Sequence, residues 1–119
     1  MSSLSTPYAM YSLVALYLKV DANNFVDIVE NLSKEDVLVV VHLLDPHLPK
    51  CVQLNSMLHN LASVEFRRTK FLSLDLSENE IEVDRLALPM LQLYRNGDLV
   101  ETIAPVHMEV IVMISPRPL

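Results

Sequence analysis

Apolar positions along this chain come in short blocks of two periods. Leu16–Val20 reads Leu-Tyr-Leu-Lys-Val, the alternation of a half-exposed strand. Behind the cap-type residues Asp21, Asn23 and Asn24, the apolar side chains Phe25, Ile28, Val29 and Leu32 recur at i, i+3, i+4 and i+7. That spacing draws one stripe on a short helix and leaves Asp27 and Glu30 toward solvent. Val37–Leu44 is a continuous β-branched and leucine run, the pattern of a strand buried on both faces in the middle of a parallel sheet. Asp45-Pro46-His47-Leu48-Pro49 reads as a loop, with Pro49 suited to the first turn of a helix. From there Cys51, Leu54, Leu58, Leu61 and Ala62 form a helical stripe, with Gln53, Asn55, His59 and Asn60 outside it.

The second half repeats the strand period. Lys70–Leu76 alternates, placing Leu72, Leu74 and Leu76 on one side. Ser77–Leu86 is acidic and reads as a loop with a short helix. Met90–Tyr94 and Leu99–Ile103 are strands joined by Arg95-Asn96-Gly97-Asp98, where Asn-Gly supplies the two positive-φ positions of a tight hairpin. Strands alternating with helices imply right-handed crossovers and a parallel core, to which the hairpin adds antiparallel strands. The predicted class is α/β. A thioredoxin-like mixed sheet with flanking helices is compatible with this order, and pattern alone leaves other α/β folds open.

Composition narrows the class. At 119 residues, 51% apolar and 20% charged, with one Gly and no Trp, the chain is a globular domain with enough apolar content for a core. The expected organisation is a loose leader at 1–15, a domain at 16–106 and an apolar tail at 107–119. A net charge of −6 argues against nucleic acid, whose phosphates need a basic surface. The acids gather in Asp21–Asp36 and Asp75–Asp84. The basic group of Arg67, Arg68 and Lys70 is too small for a polyanion and reads as a solvated helix end. Cys51 is the only cysteine, so no intrachain disulfide can form and a reducing, cytoplasmic compartment is the simplest expectation. The apolar stretch Tyr11–Leu18 has no basic flank before it and is far shorter than a membrane span.

Three segments carry a resemblance. Val37-Leu-Val-Val-Val-His42-Leu, followed by Leu48-Pro-Lys-Cys51-Val-Gln-Leu54-Asn55-Ser56-Met-Leu58 and closing on Leu61-Ala62, resembles the central strand and helix of the phosducin family. Thr69-Lys70-Phe71 is similar to the opening of that family's next strand. So is Ala87-Leu88-Pro89-Met-Leu91-Gln-Leu-Tyr94-Arg-Asn-Gly97-Asp98-Leu-Val100 to the hairpin that follows. The likeness covers roughly Tyr17 to Val106. It implies a thioredoxin fold with a cis peptide at Leu88-Pro89 beside a former active-site loop, Leu48, Pro49, Lys50 and Cys51. It also implies a protein partner, either the βγ dimer of heterotrimeric G proteins or the cytosolic chaperonin as it folds Gβ. Two departures stand out: nothing before Tyr11 resembles the family's N-terminal helical domain, and His107–Leu119 diverges from its acidic final helix.

A thioredoxin reaction needs two thiols, one to attack a disulfide and one to resolve the mixed disulfide. Counting back from Leu61-Ala62 puts Cys51 at the resolving position and Leu48, which offers no nucleophile, at the attacking one. The sequence therefore predicts neither an oxidoreductase nor a cofactor. Cys51 near a helix N-terminus has the setting for a lowered pKa, although the resolving position is usually sheltered. His47 and Cys51 lie four apart across a loop, with no second pair to complete a tetrahedral metal site. His42, inside the central strand, reads as a packed histidine with one hydrogen bond. Ser56 faces outward, and no hydrolase constellation emerges. Methionines fill gaps in the core. Met108 to Ile114 reads as cover for a sheet face or, if exposed, as a sticky patch.

Overall fold

The β-branched run becomes the centre of the sheet. The computed structural model describes residues 17–64 and 69–107, with side chains outlined to residue 62 in the first stretch. The leader expected at 1–15, Arg67, Arg68 and the tail beyond His107 lie outside the described residues. In chain order the elements are β1 (Tyr17–Val20), α1 (Phe25–Leu32), β2 (Leu38–Leu44), α2 (Pro49–Val64), β3 (Thr69–Asp75), a 3-10 turn (Arg85–Ala87), β4 (Met90–Arg95) and β5 (Asp98–Ile103). The five strands lie in the order β1-β3-β2-β4-β5. Strand β3 runs parallel to both β1 and β2, while β4 is antiparallel to β2 and to β5. This is the mixed α/β sheet expected from the element order.

Each helix takes one face of the sheet. Ile28, Val29 and Leu32 of α1 pack with Val39, Val41, Leu72 and Leu74. On the other face Leu54, Leu58 and Leu61 of α2 pack with Val40, Phe71 and Leu91. Neighbouring residues of one strand point to opposite faces, so Phe71 and Leu72 are buried under different helices. Leu76 lies past the end of β3 and joins a third cluster with Leu44, Cys51 and Leu88. The alternating pattern of 70–76 shows one apolar side; the second buried face arises because α2 covers what the alternation leaves open.

Local chemistry sets the element ends. Asp21 accepts hydrogen bonds from the Asn23 and Asn24 amides at 2.8 and 3.0 Å, and Asn24 Oδ1 accepts from the Asp21 amide at 2.9 Å. Asn24 stands at the N-cap of α1, yet its side chain does not cap the helix. At the far end Ser33 is fully buried. Its carbonyl accepts from the Asn96 amide at 2.7 Å and its hydroxyl from the Gly97 amide at 2.8 Å. The hairpin tip, with φ of 52° at Asn96 and 84° at Gly97, is thereby tied to the C-terminus of α1. Strand β5 is exposed along its whole length and forms one edge of the sheet.

Candidate functional site

The loop after β2 builds one wall of the site. Asp45 accepts from the His47 amide at 2.9 Å and lies 3.1 Å from its ring Nδ1, while the Leu48 amide donates to the Asp45 carbonyl at 3.0 Å. This closes a tight turn, and α2 starts at Pro49, where a missing N–H costs nothing. The Leu48 carbonyl then accepts from the amides of Cys51 and Val52 at 3.0 and 3.2 Å. Pro49 and Lys50 face solvent, Leu48 is half-buried and Cys51 is fully enclosed.

The opposite wall comes from the segment between β3 and β4. Asp84 accepts from the Leu86 amide at 2.9 Å and starts the 3-10 turn. The peptide Leu88-Pro89 is cis, Leu88 packs in the cluster that holds Cys51, and Pro89 is fully buried. The Val106 amide donates to the Pro89 carbonyl at 2.8 Å, so the chain after β5 returns to the same corner. Ala104-Pro105 is a second cis peptide there. Leu48, Pro49 and Lys50 thus face Leu88, Arg85 and Val106 across a concavity of 680 Å³.

The electrostatics disfavour a thiolate. Burial pushes the Cys51 thiol up, against a smaller lowering from a hydrogen bond at Asp45. The lowered value that a helix N-terminus suggests does not arise, because the sulfur is enclosed. At position 48 the side chain is a hydrocarbon. Among the described residues no group of three His, Cys, Asp or Glu side chains could hold a metal ion.

A polar cluster joins β1, β2 and α2. The Tyr17 hydroxyl donates to Asn55 Oδ1 at 2.6 Å, and His42 Nδ1 lies 3.1 Å from that hydroxyl and 3.2 Å from Asn55 Oδ1. His42 thus meets both groups through the one nitrogen, Nδ1. Nε2 has no partner. Burial lowers the His42 pKa to about 4, outweighing the upward pull of the Asn55 bond. Burial likewise pushes the Tyr17 phenol up.

This arrangement of strands, helices and cis-proline corner recurs in solved structures. The long form of spinach chloroplast thioredoxin f superposes with a TM-score of 0.68 over 90% of this chain and 89% of its own, at 19% identity. Thioredoxin f2 of Chlamydomonas reinhardtii gives 0.64 over 82% and 92%, at 23% identity. Such identities establish the fold alone. No family model matches the chain. In sequence, phosducin-like protein 1 of Dictyostelium discoideum is 31% identical over 93 residues. This thioredoxin-like domain belongs with the phosducin-like proteins. The match spans 78% of the present chain and 29% of that relative's length.

Within this phosducin-like domain, the family resemblance leads to the loop 48–51 and to Leu88-Pro89 and misses the other residues of this corner. Asn55, placed outside the helical stripe, is half-buried and holds both Tyr17 and His42. His42 meets two side chains through one nitrogen instead of making a single bond. Arg85 and Leu86 read as an acidic loop's end, yet they line the concavity. Nothing in periodicity marks a short turn as a wall. A signal for Asn55 did exist: a polar residue one position after a buried leucine, on a helix that must cover a polar strand residue.

Proposed function

We propose that this domain is a non-catalytic protein-binding module that controls the availability of the G-protein βγ dimer in the cytoplasm. The observation that carries this reading is the pairing of Leu48 with a fully enclosed Cys51 beside the cis proline. Thiol exchange begins with an accessible thiolate, and at this corner the accessible position holds a leucine. The relationship to the phosducin-like proteins supports a protein as partner, with Gβγ as the family's implied one. Among the described residues no helix is long and apolar enough to cross a membrane. The acidic surface around Asp21–Asp36 and Glu78–Asp84 would raise the association rate with a basic partner face. By covering part of Gβ, the domain would compete with Gα.

Two measurements test the reading. Retention of Gβγ on the immobilised domain at micromolar concentration is expected, and its absence removes the partner. Insulin reduction with dithiothreitol is expected at background, and turnover above it overturns the non-catalytic assignment.

A further inference from the structure

We infer that the concavity between the start of α2 and the 3-10 turn docks an acidic segment of a partner protein, anchored by one large apolar side chain. This rests on the protein-binding reading above and names the chemistry of the partner at that corner. The lining divides by type. Leu48, Pro49, Leu88, Pro105 and Val106 make an apolar floor, and Lys50, Arg85 and His107 supply the polar rim. No carboxylate lines it, in a chain whose net charge is −6. At 680 Å³ the space is of the size that takes a bulky side chain with flanking backbone.

Neither Lys50 nor Arg85 is held in an ion pair among the described residues. Lys19 is paired with Glu78 at 2.9 Å and Arg95 with Asp36 at 3.2 Å. Of the nearby carboxylates, Asp84 accepts from the Leu86 amide and Asp45 from the His47 amide, and Asp45 also feels the Arg85 charge without pairing with it. Lys50 and Pro49 open a sixteen-residue helix, whose dipole adds positive potential at the same place. Leu86 is 82% exposed at the rim, a large apolar side chain standing in water where a partner would cover it. The chain's own residues 108–119 match poorly, since Glu109 is their only acid and Arg117 opposes the rim. In a second copy the acidic stretch 78–84 is held back, because Ile81 and Val83 pack into the core.

The test uses the full chain and a short fluorescent peptide of Glu and Ser around one central Leu, read by anisotropy. Saturable binding that weakens with salt is expected, as is its loss when Lys replaces the Glu residues or Ser replaces the Leu. Lys50→Glu, Arg85→Glu and Leu86→Ser should each weaken it by about tenfold, a change of about 1.4 kcal/mol, while Val100→Ser on β5 leaves it unchanged. All four positions are exposed, and circular dichroism checks that each variant folds. Absence of saturable binding, or equal binding by all variants, overturns the proposal. So does binding that emerges only after Ile111 and Val112 are changed to Ser, which would make the tail the occupant. Self-association abolished by Lys50→Glu would make it a second copy, with the same consequence. Gβγ retention without peptide binding defeats this inference alone; loss of both defeats the protein-binding reading as well.

Discussion

Lowering the pH from 7 to 5 should destabilise this domain through His42. In the fold its pKa is about 4, against an ordinary value of 6.5. The unfolded chain therefore takes up a proton that the folded chain refuses. The stabilisation is complete above the unfolded pKa and is lost as pH falls from 6.5 toward 4. Linkage over that interval amounts to about 3 kcal/mol, and to about 2 kcal/mol between pH 7 and pH 5. For a domain of this size that is a large share of total stability. The control is His42→Leu, which removes the titrating ring and its unpaired Nε2 while leaving the 2.6 Å bond between Tyr17 and Asn55. Carboxylates such as Asp45, whose pKa is lowered chiefly by the His47 amide, titrate alike in both proteins and cancel in the difference. Urea denaturation at pH 7, 6 and 5 should show the wild type losing about 2 kcal/mol more than the variant. Parallel stability curves for the two would refute the reasoning. If His42→Leu does not fold, His42→Gln makes the same comparison with a side chain that cannot titrate.

Three other outcomes follow from the geometry. Leu48→Cys should create a dithiol with Cys51, seen after oxidation as an intramolecular disulfide by mass spectrometry and as insulin reduction above background; a variant that forms only intermolecular disulfides would show that the loop lacks the required shape. Leu54→Ala removes a side chain with no exposure from beneath α2, and should cost about 2–5 kcal/mol in denaturant titration. Ser33→Ala deprives the Gly97 amide of its 2.8 Å acceptor, and should cost about 1–3 kcal/mol. Faster hydrogen exchange at Gly97 should accompany it, and unchanged exchange would mean that the hairpin tip does not depend on this tie.

The sequence by itself determined the element order, because two periods of apolar spacing distinguish strands from helices without reference to anything distant. It determined the central place of β2, since a run such as Val39-Val40-Val41 has no polar face to show to water. It also determined the hairpin, because Asn96-Gly97 tolerates positive φ locally. The absence of an attacking sulfur at Leu48 is likewise a matter of residue type. Tertiary structure decided what depends on contact between remote segments. Only packing encloses Cys51 and reverses the effect expected of a helix N-terminus on its thiol. Only packing gathers Tyr17, His42 and Asn55, which come from β1, β2 and α2, and pushes the imidazole toward neutrality. Arg85 and Lys50 stand 35 positions apart in sequence and share one concavity because the cis-proline corner and the start of α2 meet at the same end of the sheet. Periodicity reports which way a side chain points from its own element; what it then meets is set by the fold of the whole chain.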